Sequence, residues 1–300
     1  MPLVVHRDFG LPGWVGPMDL VVAVSCSGET AETLSALEEA VRRGCRLLVV
    51  GRAGSPLDDL GQRGRAVFVP VTQGRQPRAS AWALATPLVV AGHALGLLQA
   101  PDDVVEEAAA LLETIADRCR IDAEHLVNPA KRLAVHLDGV LPLVWGTSSL
   151  AAVAAHRFAS QLNENAHVAA VHGALPEAGH NQVVALDGPM AARVDTVGDP
   201  DDFFRDRGED VEQAGVLSLV ALRDAEEHPV TAQRADVGLE LARERQVPVL
   251  ELRAEGSSRV ARLASVVAVP DFASAYLALL HGTDPTPVGA IDQLKARTRA

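Results

Sequence analysis

Apolar positions fall along this chain in two alternating kinds of run. Leu20–Val24, Arg46–Val50 and Ala66–Val71 are short and nearly continuous. Between and after them, Ala31–Arg43, Ser55–Arg63 and Ala79–Leu98 carry apolar residues at helical spacing, and Gly44 stands where a C-cap would close the first helix. Leu3–Val5 reads as one more short strand, before a Gly/Pro-rich turn at 10–13. Continuous apolar strands alternating with helices predict a parallel sheet covered on both faces. Pro101–Val127 is an acidic, apolar helical stretch ending at Asn128-Pro129, where a domain boundary is expected, giving domains 1–128 and 129–300. A second series follows: a strand at Val140–Trp145, a Gly-Thr-Ser-Ser turn at 146–149 and a helix from Leu150 to Asn165. Val183–Ala185, Val216–Leu222, Val247–Leu252 and Val266–Val269 are further strand candidates. Helices are expected near Ala232–Arg245, Ser258–Ala264, Asp271–Gly282 and Val288–Ala300. The polar stretch Asp199–Glu212 reads as a solvated loop or the rim of a site. The fold class expected is α/β, with two doubly wound parallel-sheet domains.

Composition narrows the partners. A net charge of −12 argues against nucleic acid and anionic membrane, and makes any anion site depend on local donors. Aromatic residues are 3% of the chain, so stacking platforms are scarce. Cys26, Cys45 and Cys119 are odd in number and lack metal-ligand spacing, which fits a reducing cytoplasm. No leader is visible, and no uninterrupted apolar run approaches ~20 residues. Lys131 and Lys295 are the only lysines, which draws attention to each.

The first strand breaks into Ser25-Cys26-Ser27-Gly28-Glu29-Thr30 and then opens a helix. Ser25, Ser27 and Thr30 offer hydroxyls, Gly28 lets backbone approach an anion, and a helix N-terminus presents unpaired N–H groups. With no basic residue in the loop and no Walker spacing, a nucleoside triphosphate with Mg²⁺ fits poorly, whereas a sugar monophosphate needs no more than this. The competing reading is an ordinary capping box, with Ser27 or Thr30 as N-cap.

This loop resembles the phosphate loop of sugar isomerase (SIS) domains. The runs Gly74-Arg75-Gln76-Pro77-Arg78-Ala79, Asn163-Glu164-Asn165-Ala166 and Leu175-Pro176-Glu177-Ala178-Gly179-His180-Asn181 follow in an order that resembles the bifunctional phosphoglucose/phosphomannose isomerases. Gly282-Thr283-Asp284-Pro285 and Ile291-Asp292-Gln293-Leu294-Lys295 are similar to that family's C-terminus. The resemblance implies an aldose–ketose isomerase interconverting glucose 6-phosphate or mannose 6-phosphate with fructose 6-phosphate through an enediol, without cofactor or metal. It implies Glu164 as the base, His180 as ring-opening acid/base working in the partner subunit's site of a homodimer, Arg78 as enediolate stabiliser, and Lys295 as a lysine reaching the site. Arg75 is the less favoured substitute for Arg78, and Glu177 is either a support or a loop acid. Family members carry a further strand and Gly-Gly-Ser turn ahead of Leu3, normally between the strands at Leu3–Val5 and Leu20–Val24. Their lack here predicts a first sheet with a gap. It leaves a late-starting reading frame or a degenerate homologue as the explanations. The alternative function is a non-catalytic sugar-phosphate sensor.

Overall fold

The computed structural model describes residues 2–72, 74–191 and 216–298, so the polar stretch at 199–212 lies outside the described residues. The chain divides into two compact units, 1–101 and 102–300.

In the first unit, β1 (Leu20–Ser25), β2 (Arg46–Gly51) and β3 (Val67–Pro70) form a parallel sheet in the order β1-β2-β3, connected by α1 (Ala31–Arg43) and α2 (Pro56–Arg63), with α3 (Ala81–Ala94) following β3. Alternate residues of β2 point to opposite faces. Leu47 and Val49 pack with Leu37 and Ala40 of α1 and Leu57 of α2, while Leu48 and Val50 pack with Leu84, Leu88 and Ala91 of α3. Both faces of the strands are therefore apolar, as their continuous hydrophobic runs predict.

Leu3–Val5 is not a strand. These residues are exposed, and β1 is an edge strand with Val22 41% exposed, so the sheet ends where a gap was expected. The preceding segment is held by its backbone instead. Arg43 donates to the carbonyls of Pro12 (2.7 Å), Val15 (2.9 Å) and Leu11 (3.1 Å), and Glu39 accepts from Leu11 N–H at 2.7 Å.

The second unit begins with α4 (Asp102–Arg118) and α5 (Pro129–His136). Its sheet contains β4 (Leu141–Gly146), β5 (Val171–Ala174), β6 (Leu217–Arg223) and β7 (Val249–Arg253), all parallel in the order β5-β4-β6-β7. The helices are α6 (Ser149–Gln161), α7 (Ala178–Asn181), α8 (Pro229–Glu244), α9 (Arg259–Leu280) and α10 (Gly289–Thr298). On one face Trp145 and Leu219 pack against Ala235 and Leu239 of α8. Gly238 makes room there, since a Cβ would lie 2.7 Å from the Trp145 ring. On the other, α9 packs against α4, α5 and α6. That packing draws α4 into the second unit, whereas the sequence grouped 102–128 with the first.

Three local readings differ from the structure. Val266–Val269 is the middle of α9, a 22-residue helix buried on most sides, so its apolar residues show no helical period. Val183–Ala185 lies in a 3₁₀ turn, Gln182–Asp187. β5 has no counterpart among the sequence's strand candidates, since four residues including His172 and Gly173 carry little strand signal. Helix α9 is long and apolar enough to span a membrane by length and composition, with mean hydropathy 1.8, but it is a core helix here.

Candidate active site

Parallel strands deliver their following loops to one edge of a sheet, the usual place for a ligand in open α/β folds. In the first unit this carboxyl edge carries the loop 25–30 after β1, Arg52 and Ser55 after β2, and Arg78 after β3.

The loop is braced from inside. Ser25 is buried, its hydroxyl 2.8 Å from that of Thr30 and accepting Gly28 N–H at 3.1 Å. Ser27 is exposed and its hydroxyl accepts Glu29 N–H at 3.2 Å. Gly28 has φ +69°, and a Cβ there would sit 2.1 Å from Ser55 Oγ, so only glycine fits. Thr30 is the N-cap of α1, yet its side chain makes no capping hydrogen bond. Ser55, Asn128, Ser148, His228 and Ser258 do cap α2, α5, α6, α8 and α9. The capping-box alternative is therefore only half realised: Thr30 occupies the N-cap position but its side chain accepts no first-turn N–H.

The corresponding loop of the second unit, Thr147-Ser148-Ser149, is closed. Ser148 caps α6 through Ala151 N–H (3.1 Å) and donates to Asp224 Oδ2 at 2.9 Å. Arg262 Nε holds the other Asp224 oxygen at 2.8 Å, with both side chains buried. A carboxylate of the protein itself occupies this second cradle.

Glu164 lies on a π turn, Leu162–Ala166, that continues α6. Such turns interrupt the regular ladder and often mark functional positions. Asn165 bonds Ser274 at 2.8 Å, and just upstream Arg157 grips Asp271 through Nε (3.0 Å) and Nη2 (2.7 Å), with Gln161 on the same carboxylate at 3.2 Å. These contacts pin the turn to α9. Burial raises the Asp271 pKa against the opposing pull of Arg157.

His180 is exposed on α7 and lines a cavity of about 350 Å³ with Trp145, Val183, Arg234, Val237 and Leu241. Glu177 accepts from Asn181 at 3.2 Å, making it a support of this short helix, and Gln182 accepts from Trp145 Nε1 at 2.8 Å. Glu164 and His180 are not brought together. α6 leaves the carboxyl edge of the sheet and runs antiparallel to the strands for about 20 Å, so Glu164 lies toward the amino edge. His180 follows β5 and returns to the carboxyl edge. Arg78 lies half-buried in a 3₁₀ turn, Pro77–Ser80, before α3 rather than at an α-helix start. Lys295 is on α10, which has no buried residue.

The family profile described as the bacterial phospho-glucose isomerase C-terminal SIS domain matches residues 126–298. Over 98% of its length the chain is 32% identical to the bifunctional phosphoglucose/phosphomannose isomerase of Caldicellulosiruptor bescii, covering 80% of that protein. The chain belongs to the bifunctional phosphoglucose/phosphomannose isomerase family. The namesake of Aquifex aeolicus is 29% identical over 98% of this chain and 80% of its own length. Among solved structures, a glucose-6-phosphate isomerase like protein from Thermus thermophilus superposes with TM-score 0.61 at 20% identity, covering 95% of this chain and 89% of that one. Tagatose-6-phosphate ketose/aldose isomerase from Escherichia coli superposes with TM-score 0.56 at 16% identity over 91% and 72%. Both likenesses establish the SIS fold.

For this phosphoglucose/phosphomannose isomerase family member, sequence reasoning missed Arg52, Ser55, Asp224, Arg262 and Ser274. Arg52, Asp224, Arg262 and Ser274 act through partners distant in sequence, Ser55 holds the nearby Arg52 carbonyl, and none lies in a motif. His172 meets His156 edge-on, with ring centres 4.7 Å apart.

Proposed function

We propose that this chain interconverts glucose 6-phosphate and mannose 6-phosphate with fructose 6-phosphate, as an aldose–ketose isomerase of its family. The observation that carries the reading is the loop 25–30, with its inward-braced hydroxyls and a helix N-terminus that its own N-cap side chain does not satisfy. The sugar phosphate binds there, with Ser27, Thr30 and the first-turn N–H groups as donors and Ser25 bracing them. Glu164 moves the proton between C1 and C2, and Arg78 and Lys295 stabilise the enediolate. His180 opens the ring.

The opposite positions of Glu164 and His180 in one sheet support a homodimer in which each chain lends His180 to its partner's site. Three free thiols support a cytoplasmic setting.

Glu164→Gln keeps size and hydrogen-bonding shape while removing the base, so turnover collapses and fructose 6-phosphate binding survives. Ser27→Ala weakens that binding about ten- to hundredfold, the loss of one hydrogen bond to a charged group. Binding without turnover in the unmodified protein would replace the enzyme by a sugar-phosphate sensor.

A further inference from the structure

Glu29 places a carboxylate inside the loop that is read here as the phosphate cradle, in a chain of net charge −12. A sugar phosphate at neutral pH approaches two negative charges, and an uncompensated carboxylate beside Thr30 would oppose it. The structure supplies a compensation. Arg52, the residue after β2, forms an ion pair with Glu29 through Nη2 and Oε1.

The position of Arg52 is built in. Ser55 Oγ donates to the Arg52 carbonyl at 2.6 Å, and Leu57 N–H donates to the Gly28 carbonyl at 3.1 Å. Gly51 approaches so closely that a Cβ would lie 2.7 Å from the Ser25 carbonyl oxygen. The two loops thus form one rigid piece. The Arg52 and Glu29 side chains are 36% and 43% exposed, and a pair so solvated adds little to folding stability. Its value lies in the local field.

We propose that Arg52 is a specificity-determining residue whose charge cancels Glu29, allowing the cradle to accept a dianionic phosphate monoester without itself touching the phosphate. The proposal rests on loop 25–30 being the phosphate site, and Ser27→Ala tests that reading separately.

Titrate fructose 6-phosphate onto the full-length protein at low and high salt. Arg52→Ala raises Kd roughly three- to tenfold at low salt, the effect of one unbalanced charge in high dielectric, and the difference shrinks as salt screens it. Arg52→Lys stays within about twofold of the unmodified protein, which separates charge from any folding damage. Glu29→Gln alone tightens binding, and Arg52→Ala combined with Glu29→Gln returns Kd to within about twofold. A double variant as weak as Arg52→Ala overturns the proposal, because Arg52 would then contact the phosphate directly. So does weaker binding by Glu29→Gln, or an unchanged Kd in Arg52→Ala while Ser27→Ala binds poorly. If Ser27→Ala and Arg52→Ala both bind normally, the cradle reading fails and the proposal with it.

Discussion

Asn165 donates its side-chain amide to the Ser274 hydroxyl at 2.8 Å, and that hydroxyl donates onward to the Asp271 carbonyl at 2.8 Å. The relay is buried and ties the π turn bearing Glu164 to the backbone of α9. Asn165→Ala breaks it while leaving the Ser274–Asp271 bond intact. If Glu164 is the base, kcat falls about ten- to hundredfold with KM changed by less than about threefold. Stability drops by about 1–2 kcal/mol. Steady-state kinetics and urea unfolding measure the two effects, and equal losses in kcat and affinity would mean the turn also shapes binding.

Glu164 and His180 lie toward opposite edges of one sheet, which sets up a mixing experiment. Glu164→Gln and His180→Ala homodimers are each expected to be nearly inactive. Co-expressed, they form heterodimers with one doubly damaged site and one intact site, restoring up to about half the normal activity per dimer. A mixture that exchanges subunits and stays inactive returns both residues to sites within one chain.

Gly28→Ala and Gly44→Ala separate backbone strain from crowding. Both glycines have positive φ, +69° and +72°, but a Cβ at Gly44 meets nothing within 4 Å, whereas at Gly28 it collides with Ser55. Gly44→Ala is expected to cost about 1 kcal/mol and leave fructose 6-phosphate binding unchanged. Gly28→Ala costs about 2–4 kcal/mol and abolishes binding by forcing the two loops apart. Thermal unfolding and titration of the pair decide it, and intact binding in Gly28→Ala would remove that loop from the site.

Glu107 accepts hydrogen bonds from Ser257 N–H (2.7 Å), Ser257 Oγ (2.8 Å) and Ser258 N–H (3.2 Å) at the head of α9. Hydrogen bonding from Ser258 and Ser257 lowers its pKa from 4.5 to about 2. A depressed carboxylate stabilises the fold above its unfolded pKa and loses that contribution as pH falls through the folded value. Stability therefore declines between about pH 4.5 and 2, and Glu107→Gln flattens that part of the profile while lowering stability at pH 7. Urea unfolding across this range provides the test. An unchanged slope in the variant would assign the acid sensitivity to other carboxylates.

Much of this arrangement was legible in the sequence, because its signals are local. The run Leu20–Val24 breaking into small hydroxyl residues gave both β1 and the loop after it, and Gly44 marked the end of α1 correctly. What escaped depends on partners far along the chain. Nothing near Ser148 reveals that Asp224 fills its loop, and nothing near Glu29 reveals Arg52. Val266–Val269 reads as a strand in the sequence because a helix buried on most sides loses the period that identifies it. The open edge of β1 is where the sequence places the gap, whereas Leu3–Val5 has strand composition but no neighbour to pair with.

Helix α9 has a consequence for how the protein is made. A chain emerging from the ribosome presents α4, α5 and α6 well before the helix that covers them, and at about 5–20 residues per second the wait is roughly 8–30 s. Throughout it the apolar faces of those helices are open to water, to other nascent chains and to chaperones. The buried residues of α9, Leu277 and Ala278 among them, leave the ribosome only after β4, β5, β6 and β7 have done so. A nascent chain whose emerged part ends shortly before Arg259 would therefore present the sheet β5-β4-β6-β7 with one side uncovered.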